Sequence, residues 1–543
     1  MSHRESTQIS RRQMLRLGAL VGGIAAIPLL QACSGQSATP TAAPAAPTTA
    51  PAPAPTKAAA APTTAPAPTT AAAATAAPTT AAAPTTAAAA APTTAAAATP
   101  AASGSASYNP TAPITYDPTK TKINGQLTVV QQKDWNPIHN DYLNKYVTDW
   151  AKQYNFPLNL YYEAGFTGGT NFNQKMAAAV SSGTGPDMLW GAYDTFTLWY
   201  LKTLQPVDDM LKTVVAKFGD PTPGFGPPNK VDGKWYAVPY FNRSGGNWVR
   251  KSWFDDKKID ITTLKDFDQW KEAALQVSDA STRRWGWGET VNRSGDGETD
   301  VSWPWFEAGN RLTDETGTKV TFNTDGSIAA FNWLKDLYTN TKWKPMLPPG
   351  VLAWDDMGNN NAYLAGTIGF TNNAGTIFAA AQKTAPAIGK DTYLVPQPSM
   401  PIGAKQTLVG AGGGATFYLI QGAKNPDGAK ALIESMLTAD EQTKLFGYTP
   451  GYVNPAYTWG WDTDPVKNCV NNVDLIFKQN AFNPNAFSWF MPAPSTLLWV
   501  NGVSNAVVFT DTMAAILKGT SVKDAVAQAQ TKIEAIGQKF NWK

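Results

Sequence analysis

Apolar and polar positions fall into a regular alternation from Leu127 onward. Leu127–Val130 is a short apolar run after Asn124-Gly125 and predicts a strand. Asp141–Gln153 places Leu143, Tyr146, Val147 and Trp150 at three- and four-residue spacing, which predicts a helix. Leu158–Tyr162 predicts a second strand. Asn171–Ser182 predicts a helix with Phe172, Met176, Ala179 and Val180 on one face. Asp187–Trp190 predicts a third strand. This βαβαβ order implies an α/β fold built on a mostly parallel sheet with helices on both faces.

The 107 residues before this pattern are different. Ser10-Arg11-Arg12-Gln13-Met14-Leu15 precedes an apolar run, Leu17–Leu30, of 14 residues. Such a run is too short to cross a bilayer as a helix and suits the core of a signal peptide. The paired arginines resemble a twin-arginine export signal, and Leu30-Gln31-Ala32-Cys33 resembles a bacterial lipobox. Residues 1–32 are therefore expected to be a removed leader, and Cys33 to carry the lipid. Residues 34–107 hold 13 Pro and a single charge, Lys57, in a drifting Ala-Pro-Thr-Thr-Ala repeat. That composition cannot bury a core. As extended polyproline it would reach roughly 230 Å, and as a flexible coil about 50 Å. It is expected to be a disordered spacer between membrane and body.

All 20 Trp lie beyond this spacer, between Trp135 and Trp542. The 436 residues from Tyr108 to Lys543 exceed what one core usually holds, so two lobes are expected. Five of the 44 basic residues and one of the 41 acidic residues precede Tyr108, which leaves the body with 39 and 40. The apparent basicity belongs to leader and spacer, and a near-neutral body carries no footprint for nucleic acid.

Several segments then carry a resemblance. Gly183-Thr-Gly-Pro-Asp187-Met-Leu-Trp-Gly-Ala-Tyr193-Asp194, followed by Leu204–Asp208, resembles the family 1 extracellular solute-binding proteins, the maltose-binding-protein-like receptors of ABC importers. Gly233–Pro239, Trp253–Trp270 (without the family's Pro), Val320–Leu334, Leu364–Phe370, Ala423–Leu432 with Thr438–Gln442, and Leu517–Ala525 resemble later segments in the same order. The resemblance implies a periplasmic-binding-protein type II fold: two α/β lobes around a cleft, joined by crossings near Asn242–Asn247, Val409–Thr416 and Asn454–Trp461. It places lobe 1 at about 122–242 and 410–458, and lobe 2 at about 246–408 and 460–543. Gly245, Gly246, Gly412 and Gly413 are the candidate hinge residues, because glycine tolerates the dihedral changes a hinge makes.

Enzymatic chemistry finds little support in the residues. The body has one His, His139, expected on an exposed polar loop, and one Cys, Cys469, expected to be an inert packed thiol. These counts exclude a His- or Cys-based metal site. Gly410-Ala-Gly-Gly-Gly414 is not followed by Gly-Lys-Ser/Thr and leads into a strand, so it is not a phosphate loop. Asp296, Glu298, Asp300 and Glu307 echo a calcium loop, but Val301 stands where Gly is needed and Pro304 interrupts it; a solvated acidic loop is expected. A carboxylate pair for glycoside cleavage stays open, since 40 acids are present and none is singled out. No catalytic residue, metal or cofactor is assigned.

A sugar presents apolar C–H faces and a ring of hydroxyls, so its site needs flat aromatics and planar hydrogen-bonding groups. Trp135, Tyr193, Trp303 and Trp305, the last two read as a loop pair, are candidates near strand ends and loops. Trp499 resembles the family's stacking Trp. By the same resemblance Asp194 accepts sugar hydroxyls, although Thr195 stands where the maltose receptor has Arg. Arg243 occupies the first crossing, where that receptor has Glu. Asn372 and Asn373 follow a short strand, Ile368–Phe370, and the resemblance implies that they face the cleft.

The expected function is capture of a carbohydrate, of oligosaccharide size, and its delivery to ABC permease subunits. The protein is expected to be exported, lipid-anchored on the outer face of the cytoplasmic membrane, and monomeric. Peptide, polyamine or anion receptors, and a surface-anchored carbohydrate-active enzyme, are the alternatives.

Overall fold

The computed structural model describes residues 108–134, 137–163, 169–243, 245–410, 414–483, 486–487 and 498–542. Cys33, Trp135, Gly412 and Gly413 lie outside them. All described residues belong to one unit, Ala96–Lys543.

The chain opens with β1 (Leu127–Gln132), α1 (Pro137–Gln153), β2 (Leu158–Glu163), α2 (Gly169–Ser181), β3 (Met188–Gly191) and α3 (Thr195–Tyr200). This is the alternation expected from the apolar pattern, with α1 beginning four residues earlier. Pro137 supplies that start, since proline is tolerated in a first turn whose N–H groups have no helical partner. After β4 (Val238–Asn242) the chain crosses into β5 (Gly245–Arg250). The second half contains α4 (Gly295–Glu307), β6 (Phe370–Ala374) and β7 (Thr392–Val395). It returns through β8 (Val409–Gly410) to β9 (Gly414–Leu419), continues to β10 (Asn454–Pro455) and α5 (Val473–Ala481), and ends with β11 (Ala486–Phe487), α6 (Leu498–Asn505), α7 (Val508–Leu517) and α8 (Val522–Lys539).

Two sheets organise two lobes. The first has the order β10-β4-β9-β3-β1-β2. Its β1 pairs in parallel with β2, from Leu127 opposite Leu158, and with β3, from Val129 opposite Met188. Strand β9 runs antiparallel to both β3 and β4, so the sheet is mixed rather than mostly parallel. The second sheet, β6-β5-β7, is antiparallel. Strands β8 and β11 pair in parallel as a separate ribbon. The main apolar cluster runs from Val129, Trp190 and Phe417 of the first sheet to Trp248, Phe378 and Phe477, so the lobes share a continuous floor at the crossings. A second cluster around Phe254, Trp270, Trp305, Phe306 and Phe509 fills lobe 2 alone.

Local chemistry starts the helices. Asp194 caps α3, Ser294 caps α4 and Ser521 caps α8, each accepting from a backbone N–H two or three residues on. Gly414 enters β9 where a Cβ would lie 2.0 Å from the carbonyl oxygen of Phe241, so only glycine fits this crossing without moving β4. Gly245 and Gly246 are the first two residues of β5, laddered to Ala374 and Asn373.

Three expectations are corrected. Residues 295–307, read as an acidic loop carrying the Trp303–Trp305 pair, are the helix α4 with Pro304 inside it. Asn372 and Asn373 lie within β6 rather than after a strand. His139 is on α1 and fully buried, because Asp134 pairs with its ring and Trp190, Phe241 and Tyr452 surround it.

Candidate functional site

The carboxyl ends of β1, β3 and β4 meet the crossings at one end of the first sheet. The start of β5 and the ends of β6 and β7 lie at the matching end of the second. Ligands of α/β proteins bind outside strand carboxyl ends where the chain path changes direction, so the side chains at these ends form the candidate site.

On lobe 1, Gly191 ends β3 at φ +151°, and a Cβ there would lie 2.5 Å from Gln132 Cβ. The close approach lets Gln132 Oε1 accept from Ala192 N at 2.8 Å. Tyr193 stacks on Phe172, ring centres 4.4 Å apart and 14° from parallel. Its hydroxyl is buried and has no partner among the described residues. Asp194 faces inward as a cap: Oδ1 accepts from Phe196 N at 3.1 Å, Thr197 N at 3.3 Å and Asn501 Nδ2 at 3.0 Å, and Oδ2 from Thr197 Oγ1. Burial pushes its carboxyl above the ordinary value despite these bonds. Its carboxylate is therefore largely occupied by α3 and by Asn501.

On the first crossing, Arg243 Nη2 lies 2.7 Å from Asp134 Oδ2. The same carboxylate accepts from Tyr452 Oη at 2.7 Å and from His139 Nδ1 at 3.2 Å, the ring nitrogen donating because a carboxylate only accepts. Burial alone would raise the Asp134 carboxyl; Arg243, His139 and Tyr452 outweigh it and hold it well below the usual range. Burial, joined by Arg243, lowers the His139 imidazole further than Asp134 raises it. Arg243 thus sits at the crossing, as expected, with its charge opposed by a buried carboxylate.

On lobe 2, planar amides form a chain. Asn372 Nδ2 donates to Asn247 Oδ1 at 3.1 Å, and Asn247 Nδ2 to Gln397 Oε1 at 2.8 Å. Gln397 Nε2 is buried and interacts with the Glu307 carboxylate. Asn373 Nδ2 donates to Asp296 Oδ2 at 3.1 Å, beside Asn359 Nδ2 at 3.0 Å. Burial, with Asp356 adding repulsion, pushes Asp296 up to about 7. Glu289 and Asp300 are also buried, and burial first, with their mutual repulsion, pushes both carboxyls up.

The Trp candidates separate. Trp303 is half-buried, its ring edge-on to Phe487 at 5.9 Å. Trp305 and Trp499 are 0% exposed and belong to the lobe 2 core. Trp305 Nε1 donates to Ser327 Oγ at 2.8 Å, and Trp499 Nε1 to Gly317 O at 3.1 Å. Both indoles are thus fully buried with their N–H groups satisfied. The structure adds Asp134, Asn247, Asp296, Gln397, Tyr452 and Asn501. Asn247 follows directly on Gly246 in the first crossing, and Asn501 stands two residues past Trp499. Among the described residues no group of three His, Cys, Asp or Glu side chains could hold a metal ion.

Residues 136–443 match the model of the bacterial extracellular solute-binding protein family. No curated protein sequence matches the chain. Solved structures do. Maltose-bound MalE3 of T. maritima aligns with TM-score 0.63 at 18% identity, covering 75% of this chain and 99% of that one. A solute-binding protein of Thermotoga lettingae with bound α-D-tagatose aligns at 0.60 and 16% identity, covering 76% and 100%. A sugar transporter protein of Arthrobacter chlorophenolicus with bound laminaribiose aligns at 0.60 and 15% identity, covering 76% and 99%. At these identities the likeness is one of fold: a two-lobed, maltose-binding type.

Proposed function

We propose that this chain, which belongs to the bacterial extracellular solute-binding protein family, is the carbohydrate receptor of an ABC importer. One observation carries the reading: the amide chain of Asn372, Asn247 and Gln397 stands at the crossings, where both lobes meet. Planar amides can donate and accept at fixed angles, which matches a hydroxyl-bearing ligand. Maltose, tagatose and laminaribiose in the structures of like fold support the same class. An anionic ligand is disfavoured, because the cation at the crossing, Arg243, already faces Asp134.

In this reading the ligand is an oligosaccharide that contacts both lobes and biases the receptor toward closure. The closed form docks on permease subunits. Gly245, Gly246, Gly412 and Gly413 supply the hinge, and Trp135, Tyr193 and Trp303 supply aromatic surface. The leader directs export, Cys33 carries the lipid, and residues 34–107 set the distance between membrane and body. Intrinsic tryptophan fluorescence across mono- and oligosaccharides, polyols, peptides and polyamines tests the reading. A saturable change with carbohydrates supports it; a response confined to peptides or polyamines replaces it.

A further inference from the structure

Two side chains of lobe 2 reach one patch of lobe 1. Asn501 lies on α6, whose Trp499, Val500 and Val503 are buried in the lobe 2 core. Its Nδ2 donates to Oδ1 of Asp194 at 3.0 Å, at the start of α3. Phe540 follows α8 and packs on the lobe 2 core, yet it also packs on a small separate cluster of lobe 1. That cluster is Phe196 and Val231, 2% and 3% exposed, with Trp199 and Tyr236 beside them. Asp194 and Phe196 are two residues apart, so the polar and the apolar contact grip the same first turn of α3.

We propose that Asn501 and Phe540 form an interlobe latch that holds the receptor closed before any ligand arrives. The inference rests on the two-lobed receptor reading for the existence of the motion, and on nothing about which ligand binds. Neither contact belongs to the chain crossings, which tie the lobes covalently whatever their angle. Both must separate when lobe 2 swings away from α3. An amide donating to a buried carboxylate is directional and charge-assisted, and an aromatic side chain on an apolar patch is neither. Together they fix one interlobe angle rather than a range. Asp194 favours the latched state further, because opening would remove one of the donors to its buried carboxylate. The latch would then lower the cost of the closure that ligand favours, so less of the ligand's binding free energy is needed to close the lobes.

The test needs no ligand. The full chain with Cys33→Ser and Cys469→Ser takes spin labels at Lys212→Cys on lobe 1 and Lys335→Cys on lobe 2, both exposed positions. The distance distribution is measured by pulsed electron paramagnetic resonance. Asn501→Asp sets a second carboxylate against Asp194 and is expected to shift the distribution to longer separations. Asn501→Ala and Phe540→Ala are expected to shift it partly, and Asn501→Gln to leave it near the parent. Thermal unfolding of each variant checks that it is folded, and a variant that fails to fold leaves the other two to decide. Distributions for folded Asn501→Asp and Phe540→Ala that superimpose on the parent overturn the latch. A carbohydrate titration that shows no binding would refute the ligand reading without touching this result.

Discussion

Arg243 Nη2 lies 2.7 Å from the carboxylate of Asp134, and the two side chains are 12% and 0% exposed. This pair joins the end of β1 to the first crossing, and Tyr452 extends it to the segment before β10. Breaking one half of a buried pair strands the other charge, which costs about 3–5 kcal/mol. Arg243→Met is therefore expected to lower stability by about that much in urea unfolding. The double variant Arg243→Met with Asp134→Leu should recover a large part of the loss. A double variant as unstable as the single would show that the pair is not the source.

The acids make an opposite demand on pH. Burial raises Asp296, Glu298 and Asp474 to about 7. A carboxyl that binds its proton more tightly when folded contributes stability that is complete below the ordinary carboxylate range and is lost as pH rises toward 7. Asp134 acts in the reverse sense: its contribution is complete above the ordinary range and is lost as pH falls below it. Stability should therefore peak near about pH 4–5 and decline toward pH 8. Calorimetric unfolding at steps from pH 3 to 8 checks this, and Asp296→Asn should flatten the decline. A midpoint that rises steadily from pH 5 to 8 would refute the assignment.

Trp305 and Trp499 are core residues, so truncation should be felt in folding. Trp305→Ala is expected to cost about 3–5 kcal/mol of stability. In protein that remains folded, ligand affinity should change little. A large loss of affinity at unchanged stability would return Trp305 to the cleft.

Asn372 begins the amide chain, donating to Asn247. Asn372→Ala is expected to weaken carbohydrate binding about tenfold, the effect of one hydrogen bond of about 1–1.5 kcal/mol. The unfolding midpoint should move little. Unchanged affinity would remove Asn372 from the site.

The α/β alternation from Leu127 to Trp190 was legible because each element carries its own period. The addition of β4, β9 and β10 to the first sheet was not, since antiparallel pairing between Gly414 and Asn242 joins residues far apart in sequence. Helix α4 was misread because Gly295, Gly297 and Pro304 look like loop residues; Ser294 capping and the burial of Trp305 and Phe306 outweigh that weak propensity. His139 looked exposed because its neighbours are polar, and the acid that stabilises its burial, Asp134, becomes its partner only when α1 folds back on the end of β1. The candidate Asn pair and Arg243 do stand at the crossings. Asn247, Gln397 and Asn501 carried no local pattern, because a single amide has no periodicity and its use depends on what the other sheet brings opposite it.

The amides at the crossings are proposed to receive a carbohydrate. Isothermal titration of the purified protein with maltose, laminaribiose and longer oligosaccharides tests it most directly. Saturable heat with one carbohydrate bound per chain is expected. Absence of heat with every carbohydrate, together with saturable binding of a peptide or a polyamine, would contradict it.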